Sequence, residues 1–186
     1  AKDVVVGRNG AKPGDRLFVT GRIGDGLLGL MAAQGRLKLA PERLSALIDH
    51  YRRPAPQLAF APLIREFATA SADVSDGLVA DVGHIAAASG VGIDLDLERT
   101  PLSQPGQAWL DTRADAQDGL LQLATGGDDY EIAFTVRAED EERLRRLADQ
   151  LHVRVTGLGE VRTGGGVQVR HLGVPIKVET PGWDHG

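Results

Sequence analysis

The sequence predicts an α+β fold, with one mixed β-sheet flanked by helices. Two patterns in the sequence and one bulk property predict it. Segments with the three-and-four spacing of a buried helix face alternate with short apolar runs bounded by glycine and proline. Several connections are short enough to be hairpins, which a purely parallel, doubly wound sheet does not use. The 186 residues, 42% hydrophobic and 25% charged, fit a single well-cored domain.

Residues 4–6 and 17–20 read as strands on either side of a Gly/Pro loop, residues 7–15, that carries Arg8 and Lys12. Basic residues in a glycine loop invite a phosphate, but the P-loop pattern of spaced glycines followed by Lys-Ser/Thr is absent, so plain turn chemistry explains the loop as well. Residues 24–35 read as a helix with Leu27, Leu28, Leu30 and Met31 inward, and residues 41–51 as a second with Pro41 in its first turn. Arg53-Pro54-Ala55-Pro56 breaks the pattern before a third helix over residues 57–70.

Next comes Asp73-Val74-Ser75-Asp76-Gly77-Leu78, ahead of a helix that runs to Ser89 with Leu78, Val79, Val82 and Ile85 on its buried face. Two carboxylates and a hydroxyl within four residues form an oxygen-only donor set, which suits magnesium. Ser75 is placed to cap the helix, and free N–H groups at its start would favour a phosphate. The same letters also describe an ordinary helix cap, and on spacing alone both readings stand.

Residues 91–97 alternate Ile93, Leu95 and Leu97 with Asp94 and Asp96, as in a half-buried strand. A Pro-rich loop over 100–106 leads to one or two short helices within 107–123. Gly126-Gly127-Asp128-Asp129-Tyr130-Glu131 precedes a strand over 132–136, where two glycines allow close backbone approach and let the following acids be aimed at a ligand. A plain turn accounts for that segment too. A charged amphipathic helix over 139–151 presents Leu144, Leu147 and Leu151 inward. Strands over 152–157 and 167–171, joined by a turn at Gly164-Gly165-Gly166, precede an irregular end, Pro181-Gly182-Trp183-Asp184-His185-Gly186.

Composition narrows the function classes. A net charge of -5 with scattered Lys and Arg argues against nucleic acid, and no apolar run is long enough to span a membrane. The lack of cysteine excludes disulfides, thiolate metal sites and cysteine nucleophiles, and fits a cytoplasmic location. The five histidines show no paired ligand spacing, so no zinc site is expected. No serine sits in a nucleophile-elbow context, and the few aromatics do not suit a sugar-stacking groove. Metal-assisted phosphoryl chemistry remains.

Five segments, taken in order, resemble the thiamine-monophosphate kinase family: Arg8-Asn9-Gly10-Ala11-Lys12-Pro13-Gly14-Asp15, Val19-Thr20-Gly21, Asp73 to Leu78, Gly126 to Glu131, and Gly182-Trp183-Asp184-His185. The resemblance spans nearly the whole chain, and its specificity lies in the combination of the Asp73 and Gly126 motifs. It implies the C-terminal domain of the architecture shared with aminoimidazole ribonucleotide synthetase and selenophosphate synthetase. It further implies γ-phosphoryl transfer from ATP to thiamine monophosphate, with Asp73 and Asp76 as Mg2+ ligands and Arg8 and Ser75 as ATP contacts. Asp128 and Trp183 would contact the substrate, and no residue acts as general base. Asp128 stands where the family usually has Glu, and Gly186 where an aromatic is common. The family's N-terminal metal-binding and dimerising half is absent, so the fragment alone is expected to be inactive and the parent to be a homodimer. A related ATP-using synthetase and a non-catalytic binding module remain as alternative readings.

Overall fold

A computed structural model of the chain describes residues 5–183. β1 (Arg16–Thr20) is a central strand, and α1 (Asp25–Ala33) and α2 (Pro41–Arg52) pack against each other beyond it. After a 3-10 turn at Leu58–Phe60, α3 (Ala61–Phe67) leads directly into β2 (Ala68–Val74). The helix predicted over 57–70 therefore ends three residues early, and Asp73 lies on a strand rather than at a helix start. The reason is tertiary. Ala70, Ala72 and Val74 alternate into the core while β2 pairs antiparallel with β4 (Glu131–Val136), and this pairing outweighs the helix propensity of the alanines.

α4 (Leu78–Ser89) follows the Asp73 motif, and β3 (Gly92–Asp96) follows α4. α5 (Gln104–Leu110) begins inside the predicted Pro-rich loop, where Ser103 Oγ accepts from the Gly106 N–H at 2.9 Å and caps it. α6 (Ala116–Thr125) precedes β4, and α7 (Glu141–Gln150) leads to β5 (Val155–Arg162), β6 (Gly166–His171) and β7 (Val174–Pro175). Val5 and Val6 belong to no strand, and Val4 lies outside the described residues. Instead, the Val6 and Gly7 carbonyls accept from the hydroxyl and N–H of Ser71 and cover part of the β2 edge.

The seven strands lie in the order β2-β4-β1-β5-β3-β6-β7, a mixed sheet as the sequence predicts. β3 and β6 are parallel, and the other pairs are antiparallel. The Gly164-Gly165-Gly166 turn does not close a hairpin between β5 and β6, because β3 lies between them: Gly92 pairs with Arg162 on one side and Gly166 on the other.

Strand alternation sends side chains to two cores. Leu17, Val19, Ala133, Ile93, Leu95, Leu158 and Val169 face the larger one, with Leu28, Leu78, Val82, Ile85 and Leu123 from the helices. Phe18, Phe134 and Val136 face the smaller one with Phe60, Phe67 and Leu144. The two cores fix β2 and α4, and so the loop between them. No helix among the described residues is long and apolar enough to cross a membrane.

Candidate active site

The turn from β2 to α4 is shaped by a residue inside the helix. Asp81 is fully buried in the first turn of α4, and its Oδ2 accepts the backbone N–H groups of Ser75 and Asp76 at 3.0 Å and of Gly77 at 3.2 Å. Burial pushes its carboxyl above the usual range, while these N–H groups pull it down. Ser75 is thus not the N-cap. That position is Gly77, at φ 131°, and no side chain caps it. Asp81 thus occupies the N–H groups of the turn just ahead of α4. What the turn presents outward is side chains, Asp73 from the end of β2 and Asp76 from the turn itself.

Three other segments converge on this turn. Arg8 Nη2 lies 3.7 Å from Asp73 Oδ1, with both side chains more than half exposed. The Asp128 N–H donates to the Ser75 carbonyl and the Tyr130 N–H to the Val74 carbonyl, each at 2.9 Å. A Cβ at Gly127 would stand 2.5 Å from the Ser75 carbonyl oxygen, so only glycine permits this approach. The Trp183 N–H donates to the Asp76 carbonyl at 2.8 Å and leaves the indole 71% exposed. Arg8, Asp73, Ser75, Asp76, Asp128 and Trp183, predicted from distant parts of the chain, all border one turn. Asp184, His185 and Gly186 lie outside the described residues.

Asp128 and Tyr130 both adopt positive φ, 68° and 53°. Around them Asp129 and Glu131 are buried, while Tyr130 is exposed and donates its hydroxyl to Asp128 Oδ1 at 3.2 Å. That bond and the Asp128 charge raise the tyrosine pKa. Asp129 accepts the Gly24 and Gly26 N–H groups at 2.8 Å each and ties the segment to the start of α1. Beside it, Asp25 accepts from Ser103 Oγ and Glu131 from Thr20 Oγ1, both at 2.6 Å. Burial raises all three carboxyls, Asp129 to about 8. These are the residues that sequence reasoning missed, along with Asp81. Their signal was an acid within or beside an apolar run, where charge is rare unless hydrogen-bonded.

A cavity of about 690 Å³ opens between α4, β6 and the segment 178–183, with Asp76, His84, Val169 and Trp183 in its wall. The site therefore joins exposed carboxylates, an arginine and an aromatic surface beside a pocket, with carbonyls and N–H groups of the backbone holding the pieces in register.

This fold and this arrangement of acids place the chain in a known class. Residues 12–172 match the family described as AIR synthase related protein, C-terminal domain, and the chain belongs to that family. Its relatives include thiamine-monophosphate kinases. That of Caulobacter vibrioides is 45% identical over 179 residues, 96% of this chain and 50% of the relative. That of Salmonella typhimurium is 37% identical over 180 residues, 96% of this chain and 54% of the relative. Among solved structures, AaThiL complexed with AMPPCP and TMP superposes with a TM-score of 0.81 at 35% identity, covering 97% of this chain and 54% of that one. Thiamine-monophosphate kinase from Stenotrophomonas maltophilia gives 0.79 at 36%, covering 92% of this chain and 54% of that one. The hydrogenase maturation protein HypE of E. coli, at 20% identity and 0.67, shares the fold. The chain spans about half the length of the curated relatives it matches.

Proposed function

We propose that the whole protein carrying this chain transfers the γ-phosphoryl group of ATP to thiamine monophosphate, and that this chain is its C-terminal, substrate-side part. An oxygen of the substrate phosphate attacks the γ-phosphorus, the bond to the ADP oxygen breaks, and thiamine diphosphate and ADP result. The observation that carries this reading is the convergence of Arg8, Asp128 and Trp183 on the Asp73 to Asp76 turn. It is supported by relatives that are thiamine-monophosphate kinases and by a structural neighbour bound to AMPPCP and TMP.

Phosphoryl transfer asks a protein mainly for positioning and charge neutralisation. The exposed Arg8 guanidinium meets ATP phosphate, exchanging its long contact to Asp73 for a stronger one. Ser75 contacts ATP, and the Trp183 indole and Asp128 carboxylate hold thiamine monophosphate. Asp128 is one methylene shorter than the usual Glu, so a water bridge or a small shift of the substrate compensates. The phosphate acceptor is already an anion, so no general base is assigned.

Mg2+ fits the residues present, since Asp73 and Asp76 offer only oxygen donors and both side chains reach solvent. When bound it neutralises phosphate charge. The remaining ligands would come from the half of the protein that this chain does not span. That half would also form the homodimer contact, so this chain by itself is expected to be inactive. A cytoplasmic enzyme without nucleic-acid partners completes the reading.

Incubating the full-length protein with thiamine monophosphate and Mg-ATP tests it. Thiamine diphosphate is the expected product, made more slowly by Trp183→Ala through a raised KM for thiamine monophosphate. No thiamine diphosphate under any condition overturns the assignment.

A further inference from the structure

Building on the kinase reading, we infer that Tyr130 is a positioning residue for the substrate: its hydroxyl holds the Asp128 carboxylate in the orientation that meets thiamine monophosphate.

The backbone at Asp128 is clamped from two sides. Its N–H donates to the Ser75 carbonyl at 2.9 Å. On the other side a Cβ at Gly26 would stand 2.5 Å from the Asp128 carbonyl oxygen, so the start of α1 closes on it there. Asp128 and Tyr130 hold φ of 68° and 53°, a conformation that is uncommon for Asp and an outlier for a bulky residue. Such backbone persists where its surroundings over-determine it, and it gathers at ligand sites. Here Asp129, fixed between the two by the Gly24 and Gly26 N–H groups, turns inward and leaves Asp128 and Tyr130 on the outer side.

The Asp128 carboxylate itself has a single restraint. Among the described residues the Tyr130 hydroxyl is the one hydrogen-bond donor to it, on Oδ1 at 3.2 Å. Oδ2 is left for the amino group or the cationic ring of thiamine. A carboxylate already held in place loses less rotamer freedom when the substrate arrives. Packing does not account for the tyrosine, which belongs to neither core and is 43% exposed. The charges of Asp128 and Asp73 both favour its protonated form, so the hydroxyl stays a donor near neutral pH.

The test is the steady-state kinetics of the full-length protein carrying Tyr130→Phe, which keeps the ring and removes only the hydroxyl. The KM for thiamine monophosphate should rise about three- to tenfold, the net worth of one hydrogen bond, while kcat and the KM for ATP hold. Asp128→Ala should raise the same KM at least as far. Adding Tyr130→Phe to Asp128→Ala should then change nothing more, because the hydroxyl acts only through the carboxylate. An unchanged KM in Tyr130→Phe overturns the inference. So does an additive loss in the double variant, which would make Tyr130 a direct substrate contact, and so does a fall in kcat with a matching rise in the KM for ATP, which would mark general damage to the fold. In these three cases the parent still makes thiamine diphosphate and the kinase reading stands, whereas a parent that makes none overturns both.

Discussion

Asp81 and Asp129 show how a buried acid organises backbone. Each collects N–H groups from a turn, and each fixes a neighbouring acid that reaches solvent, Asp76 in one case and Asp128 in the other. Asp129 makes this arrangement sensitive to pH. Its pKa is pushed up from 3.8 to about 8, chiefly by burial, with the charges of Asp25 and Glu131 adding to the rise. The folded chain therefore keeps a proton that the unfolded chain has lost. The stability this gives is complete below pH 3.8 and disappears as pH rises through about 8. One such proton is worth up to ~1.4 kcal/mol per pH unit inside that window. Asp25 and Glu131, also raised, act in the same direction. Urea midpoints should fall between about pH 5 and pH 8, and Asp129→Asn should flatten that slope while lowering stability at the acidic end. An unchanged slope in the variant would assign the effect to Asp25 and Glu131.

At the scale of elements, the helices were the legible part. α1, α2, α4 and α7 appear where the apolar spacing predicts them, because their buried faces repeat at the helical period. β2 was not legible. Its small residues, Ala-Thr-Ala-Ser-Ala, carry no strong period, and only its partner β4, some sixty residues later, makes them a strand. For the candidate site, the sequence offered the outward residues through the family resemblance, and the structure brings them to one turn; it did not offer the buried acids behind them, whose contacts run across the fold. The segment carrying Trp183 shows how narrow such contacts are. A Cβ at Gly182 would lie 2.5 Å from the Asp76 carbonyl oxygen and 2.6 Å from Ala80 Cβ. Gly182→Ala should lift this segment from α4 and break the Trp183 to Asp76 hydrogen bond. We expect a loss of about 1–3 kcal/mol in stability, with a shift in Trp183 fluorescence and, in the full-length protein, weaker thiamine monophosphate binding by calorimetry.

For the molecule as a whole, β1 joins the two cores, since Leu17 and Val19 face one and Phe18 the other. Phe134 packs on Phe18 and Phe60 with ring centroids 5.7 and 5.5 Å apart, so the smaller core is largely aromatic. Phe134→Ala should cost about 3–5 kcal/mol. The loss should be equally visible in the fluorescence of Trp109, which sits in the other core. Separate transitions for Trp109 and for far-ultraviolet ellipticity would show that the two sides unfold independently.

The position of β3 between β5 and β6 bears on the order of assembly. Of the six strand pairings, β6 with β7 alone joins neighbours in sequence. β1 waits for β4 and β5, and β5 and β6 cannot zip together first without excluding β3. A ribosome must therefore release nearly the whole chain before the sheet can close, while the α1 and α2 pair can form early. During that interval β1 and β2 have no partners and are open to pairing with other chains. Slow refolding, and losses that grow with protein concentration, are the practical cost of threading one strand between two that the sequence places side by side.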